Sequence, residues 1–365
     1  MTTVQLGFGF DEPALTPPAA KPKARRAVAA WPAPVSAPSR VSTPAPAPAV
    51  ASPVPVPATF PAVLEGMACA LEQHPDYRVL RRLPVQTQFA AALAGSVTRV
   101  LILDTETTGL DAARDKVIEM ALVRVDVDTQ TGQPVGTAQV YDGLQDPGMP
   151  IPKIARDITG ITDAMVSGQQ LDQVRIASLL DGVDLVIAHN AGFDRPFVEA
   201  CLPRAAGLDW ACSFADIDWS AAGRGSAKLS ALAADLGWFY DAHRAEMDCH
   251  ALLKVLMAEV PGLGQSGLAR LIAGAQAPSY RLQATGAPFD AKDQLKSRGY
   301  RWDATAKVWH TRLAGDAALQ AECAWLKQAV YGGRAARLQW ERHDASSRYS
   351  SRGGTLGWVQ LQDLS

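Results

Sequence analysis

Apolar and polar positions along the middle of the chain fall into two rhythms. RVLILDTE (99–106) is a short, unbroken apolar run that ends in acids, and VIEMALVRVDVD (117–128) alternates. The first predicts a strand buried on both faces, the second a strand beside it. TAQVYDGL (137–144) predicts a third strand, and DLVIAHN (184–190) another buried one with a polar end. WACSFADI (210–217) reads as an edge strand running into a helix start. Helical spacing covers 152–160, 168–181, 193–204, 228–237 and 244–259. Pro196 sits where a first-turn proline is tolerated, and Gly237 closes its helix. Strands alternating with helices predict an α/β domain over residues 98–260.

The flanking segments follow other patterns. Residues 1–61 are rich in alanine, proline, valine and serine, with 14 of the chain's 25 prolines at or before Pro61. Such a stretch has little to bury and predicts an extended, polyproline-like tether. It carries a short apolar head, QLGFGF (5–10). Residues 62–97 predict a helical lead-in broken near Pro75. Residues 261–278, which include GLGQSG, predict a linker. A small α+β module is expected over 279–345: a strand at 280–286, a helix at 289–299, a hairpin at 300–314, a helix at 316–332 and a strand at 336–343. The Ser/Gly-rich residues 346–365 predict a flexible tail.

Composition narrows the function classes. The 365 residues suffice for two domains plus tails. A net charge of −2 does not by itself mark a nucleic-acid binder. Five scattered cysteines without a CxxC pair argue against a disulfide framework or a cysteine-rich zinc module. The start lacks the basic and apolar regions of a secretory signal, and no apolar run of membrane-spanning length occurs. A cytoplasmic protein is expected.

The acids carry the chemistry. Asp104 and Glu106 stand two apart at the end of a buried strand, so both carboxylates project to one side and Thr105 to the other. Two like charges there are costly unless paired or bound to a cation, and magnesium or manganese suits hard oxygen ligands. An acidic strand edge reaching solvent is the plainer alternative. Asp194 follows the 184–190 strand at a helix start, where sites form in open α/β sheets. His189 reads as a hydrogen-bonded histidine near the core. DAHRAEMDCH (241–250) looks at first like a zinc site, yet no other histidine or cysteine pairs with it. Cys249 and His250 lie within an apolar helical pattern. His243 on the lead-in loop and Asp248 on the helix can face the same point as Asp104, Glu106 and Asp194.

This set resembles the DnaQ-like 3′→5′ exonucleases, which use four acids and a histidine. LDTETTG (103–109) is similar to their first motif, HNAGFDRPF (189–197) to the second and HRAEMD (243–248) to the third. ITGITDAMV (158–166) resembles the connecting region of proofreading-type members. WACSFADIDW and GSAKLSALAADLGWFY resemble a bacterial subgroup related to the epsilon subunit of the replicative polymerase. The likeness spans about 98 to 258, and no catalytic position is substituted. It implies a ribonuclease-H-like fold, a mixed five-stranded sheet flanked by helices. It also implies two divalent ions, Mg²⁺ or Mn²⁺, about 4 Å apart. Asp104, Glu106, Asp194 and Asp248 would hold them, and His243 would take a proton from the attacking water, a task suited to imidazole. Thr107, Leu110, Asn190 and Phe193 match positions that grip or organise the terminal nucleotide, although Leu110 and Phe193 read equally well as core.

The resemblance implies release of nucleoside 5′-monophosphates from the 3′ end of DNA, single-stranded or frayed, in repair or proofreading. Trimming of RNA is the alternative on the same fold, and a non-enzymatic nucleic-acid-binding adaptor is the alternative without catalysis. QLGFGF loosely resembles a sliding-clamp-binding peptide, with Gly9 in place of a large residue. In the small module 11 basic residues face 7 acids. Arg301, Trp302 and Trp309 there are candidates for holding a single strand. Alternation sets Trp302 opposite Arg301, and tryptophans forming a small core are the competing reading.

Overall fold

The computed structural model describes residues 60–91 and 96–363. The expected tether and QLGFGF lie outside these residues. Residues up to Arg78 form one unit and residues from Val79 another. In the first, helix α1 spans Phe60–Glu72 and turns follow around His74. The lead-in is therefore helical only in its first part. Its later part is extended over residues 79–91. Arg81–Arg82 pair in parallel with Trp238–Phe239, Leu83 is buried, and Gln88 bridges Thr137.

Five strands build the larger half of the second unit: β1 (Val97–Thr107), β2 (Val117–Asp128), β3 (Pro134–Leu144), β4 (Leu185–Ala188) and β5 (Trp210–Cys212). Their spatial order is β3-β2-β1-β4-β5, antiparallel among β1, β2 and β3 and parallel from β1 through β4 to β5. This is the mixed five-stranded α/β sheet that the resemblance implied. Helices α2 (Lys153–Thr159), α3 (Asp163–Val166), α4 (Gln173–Leu180), α5 (Ala191–Cys201), α6 (Leu229–Asp235) and α7 (Ala245–Met257) follow in chain order.

Side-chain parity on β1 decides what meets what. Val100 and Ile102 join one core with Leu232 of α6 and Cys249, Leu252 and Leu256 of α7. Leu101 and Leu103 join the opposite core with Ile176 and Leu179 of α4 and Phe197 of α5. A central strand covered on both faces needs a continuous apolar run, and β1 supplies it. Carried to the strand end, the same parity sends Asp104 and Glu106 toward α7 and Thr105 toward α5.

Two connecting segments depart from expectation. The predicted linker 261–278 contains helix α8 (Gly267–Ala275), capped by Ser266, which accepts from the Ala269 amide. Leu268 and Leu271 are buried in the α7 core. Gly262 and Gly264 mark a turn, and the apolar spacing just after them is that of an amphipathic helix.

The predicted tail 346–365 is likewise structured over its described part. The small module forms a second sheet from β6 (Ser279–Ala284), β7 (Arg301–Asp303), β8 (Val308–Ala314), β9 (Arg337–His343) and β10 (Thr355–Gln360), in the order β7-β8-β6-β9-β10. Strand β10, from the supposed tail, pairs antiparallel with β9 as an edge. Helices α9 (Lys292–Ser297) and α10 (Gly315–Trp325) supply Leu295 and Cys323 to its core with Leu282 and Leu338. Between β9 and β10 the chain docks on α5. The fully buried Arg195 donates to the carbonyls of Ala345, Ser346, Arg348, Ala206 and Leu208, and to Glu199 at 2.7 Å. Ser and Gly content hid this because the partner is backbone oxygen, which any residue type provides. Among the described residues no helix is long and apolar enough to cross a membrane.

Candidate active site

Asp104 and Glu106 at the end of β1 meet Asp248 from the first turn of α7. One carboxylate oxygen from each lies within 4.8 Å of the other two. Among the described residues this is the one group of three potential ligands so gathered. It contains no histidine or cysteine. Cys249 is fully buried with its thiol 3.6 Å from the Ala121 carbonyl oxygen, and His250 is buried 3.6 Å from Glu246. The zinc-like part of DAHRAEMDCH is thus packing.

Asp194 arrives from the other side of β1. It is buried in the first turn of α5, and its Oδ1 accepts from the Thr105 amide at 3.2 Å and the Thr105 hydroxyl at 2.8 Å. It stands beside the trio rather than within the 4.8 Å group, but their charges are felt together. Burial raises Asp104 well above the usual carboxylate range, and the charges of Asp194, Asp248 and Glu106 add to it. Burial, then Asp248 and Glu119, push Glu106 up to about 8. Burial raises Asp194 to about 7 against the Thr105 hydrogen bonds. Asp248 is raised too, again by burial. Acids crowded this way resist ionising together, and a divalent cation relieves all of them at once. The oxygen-only donor set fits Mg²⁺ or Mn²⁺ better than zinc.

His243 precedes α7 with a left-handed backbone, φ 66°. Few residues with a Cβ accept that region, and it persists where surroundings hold it. Asp248 does so here. Its Oδ2 accepts from the amides of His243 at 2.8 Å and Arg244 at 3.2 Å, and its Oδ1 accepts from the Tyr240 hydroxyl at 2.9 Å. A second clamp comes from Glu119, fully buried on β2 across from Glu106. Arg244 donates to Glu119 from Nη2 at 2.7 Å and Nε at 3.0 Å, and the Ala245 amide donates to its other oxygen at 2.9 Å. Glu119 therefore fixes the start of α7, and with it His243 and Asp248.

Sequence reasoning missed Tyr240, Glu119 and Arg244. One signal was present: Glu119 is the single charge in the apolar stretch VIEMALV, and a buried acid needs a partner. The positions matched to nucleotide grip are distributed around the site. Thr107 is buried and donates to the Gly109 carbonyl at 2.6 Å, just past a register shift in β1. A Cβ on Gly109 would lie 2.5 Å from the Asp115 carboxylate and would displace it from the Thr108 hydroxyl and the Asp111 amide, which hold the turn that carries Leu110. Leu110 is 53% exposed, which sets aside its core reading. Phe193 is half-buried against Phe197, with ring centres 5.1 Å apart, and packs on the core. Asn190, φ 72°, starts α5. His189 bonds Ser213 through Nδ1 at 2.8 Å, and burial pulls it down to about 4, in keeping with a near-core histidine. In the small module Trp302 and Trp309 are cross-strand partners, whereas Arg301 pairs with His310 and leaves the sheet on the other face. The expected trio of Arg301, Trp302 and Trp309 therefore does not share one surface.

The profile of the exonuclease family RNase_T matches residues 101–256. A DNA polymerase III PolC-type protein of Thermotoga petrophila is 29% identical over 53% of this chain and 14% of its own length. One from Listeria innocua is 35% identical over 27% of this chain and 6% of its own. A DNA polymerase III subunit epsilon-like protein of Rhodobacter capsulatus is 38% identical over 27% and 14%. The chain thus spans well under a fifth of each of these relatives. Among solved structures, a zinc-bound E. coli ExoI–ssDNA complex is 18% identical with a TM-score of 0.38, covering 50% of this chain and 48% of that one. Exonuclease X in complex with 5′ overhanging duplex DNA is 22% identical with a TM-score of 0.31, covering 47% and 99%. The match to the exonuclease family RNase_T spans the strand and helix that supply Asp104, Glu106 and Asp248.

Proposed function

We propose that the chain is a metal-dependent 3′→5′ exonuclease acting on single-stranded or frayed 3′ ends of DNA, in repair or proofreading. The gathering of Asp104, Glu106 and Asp248 within 4.8 Å carries this reading. The polymerase-associated names of its relatives favour DNA over RNA. Asp104, Glu106 and Asp248, with Asp194 beside them, would hold two divalent cations. When bound, such ions neutralise the phosphoryl oxygens and stabilise the leaving 3′-oxygen. His243 accepts a proton at an imidazole nitrogen from the water that attacks phosphorus. The bond from phosphorus to the neighbouring 3′-oxygen breaks, releasing a nucleoside 5′-monophosphate and a strand one nucleotide shorter. Thr107 and Asn190 shape the turns around the terminal nucleotide, and the exposed Leu110 and the edge of Phe193 offer apolar surface to its base.

A 5′-labelled single strand incubated with Mg²⁺ or Mn²⁺ should give a descending ladder, and Asp104→Ala should lower the rate at least about a thousandfold. RNA of the same sequence should be cut more slowly. An Asp104→Ala protein as active as the parent, or a ladder growing from the other end, would refute the mechanism. Faster cutting of RNA would move the substrate to RNA.

A further inference from the structure

The small module carries an aromatic and basic groove that the catalytic site does not use. The hairpin of β7 and β8 places Trp302 directly across from Trp309, with ring centres 5.5 Å apart at 60°. Trp309 packs on the module core, while Trp302 is 50% exposed. Beside them lies a groove of about 500 Å³ lined by Phe289, Lys292, Lys296 and Lys307 as well as both tryptophans. Phe289 is 82% exposed, and the Lys292 ammonium stands 5.4 Å from its ring centre. Two large aromatic faces left in solvent are not explained by the module's core, which closes around Leu282, Leu295, Leu326 and Leu338.

The cations here are distributed in a telling way. Lys292 and Lys296 stand four apart on α9 and share one face, while Asp293 is turned about 100° from Lys292 and about 60° from Lys296. Lys307 has a left-handed backbone, φ 51°, in the hairpin turn, where the Thr305 and Ala306 amides donate to Asp303. None of these three lysines forms an ion pair with a described residue. The module's buttressing arginines do: Arg281 pairs with Asp303 and Arg298 with Glu322. Arg281 and Arg298 are thus compensated, while the three lysines around the aromatic groove are left open.

We infer that this groove binds single-stranded DNA, with Trp302 and Phe289 stacking on bases and Lys292, Lys296 and Lys307 meeting phosphates. Flat rings beside unpaired cations match the alternation of bases and phosphates in an unpaired strand. The choice of DNA rests on the nuclease reading above. The groove would hold the strand away from the catalytic carboxylates and so favour long substrates over short ones.

Binding is tested with the full chain in EDTA, where no hydrolysis interferes. The probe is a fluorescein-labelled oligo-dT of about twenty nucleotides, followed by anisotropy and by tryptophan quenching. The triple substitution Lys292→Gln, Lys296→Gln, Lys307→Gln should weaken binding at least tenfold. It should also flatten the dependence of log Kd on log salt by about two, from about 0.7 per phosphate contact. Trp302→Ala should weaken binding about fivefold or more and remove most of the quenching. Both variants should hydrolyse a dinucleotide at the parental rate and show a raised KM on the long strand. Parental Kd values in both variants would overturn the groove assignment while leaving the nuclease reading intact. Loss of binding in the variants, with a parent that cuts no DNA under any metal, would support the groove and overturn the nuclease. Preferential binding of an RNA strand that displaces the DNA would overturn the assignment to DNA.

Discussion

Replacing Glu119 with glutamine keeps the side chain's shape and removes its charge. Glutamine offers one oxygen where glutamate offers two, so Arg244 loses its ion pair, and either Arg244 or the Ala245 amide at the start of α7 loses its acceptor. A hydrogen bond to a charged group contributes about 1.5–3 kcal/mol, so melting should shift by a few degrees. The larger effect is positional. His243 and Asp248 hang from the segment that Glu119 fixes, and a small misplacement there should cost about tenfold to a hundredfold in kcat. Steady-state kinetics on a labelled strand, paired with a melting curve, measure both. A parental kcat would show that α7 needs no help from Glu119. This residue also marks where sequence reasoning stops. Asp104, Glu106, Asp194, His243 and Asp248 were legible because each sits at the end of a recognisable element. Glu119 acts through a partner 125 positions away, and that pairing exists only once β2 and α7 are side by side.

The ends of β1, α5 and α7 converge on one patch of negative charge, and their convergence makes stability depend on protons. Glu106 and Asp194 ionise near 8 and 7 in the folded chain and near 4 when unfolded. The folded form therefore binds more protons between those limits, and the metal-free protein should lose stability as pH rises from about 4.5 to 8. Melting temperatures in EDTA should fall across that window. Excess Mn²⁺ should reverse the fall, with the largest gain at the alkaline end, where the ion has no proton to displace. Glu106→Gln should flatten the EDTA profile, and a parental profile that is flat or rising would contradict the assigned burial. The strands that carry these acids were readable from period-two and unbroken apolar runs. Helix α8 is hidden in the sequence because the turn-forming Gly262 and Gly264 stand directly before its short apolar spacing of Leu268, Leu271 and Ile272. Strand β10 was missed because an edge strand beside β9 needs only backbone pairing, and TLGWVQ has little alternation to betray it.

Across the whole second unit, Arg195 fastens the segment between β9 and β10 to the domain built on β1 to β5. All of its donors are directed at carbonyl oxygens or at Glu199, and it is fully buried. Arg195→Met takes this donor from the carbonyls of Arg348 and Leu208, while Ala345 keeps the Trp210 amide and Ser346 and Ala206 keep Arg352, and it leaves the Glu199 carboxylate to Arg352 and Ser350. Breaking a buried ion pair from one side costs about 3–5 kcal/mol. Denaturant melts should show that loss, and limited proteolysis should open the chain near residues 344–352. An unchanged midpoint would mean that the segment docks without the guanidinium. The sequence showed two globular regions and a Ser/Gly-rich end, but nothing in SSRYSSRGG announced that it would be gripped by the arginine one position after Asp194.

The left-handed turn at His243 also governs how that position can be interrogated. A valine or isoleucine there would fight the backbone before it said anything about proton transfer, and an alanine would mix both losses. Asparagine tolerates the same handedness and cannot serve as a base near neutral pH. His243→Asn is thus the replacement whose kinetic deficit reports the missing imidazole rather than a rewound loop.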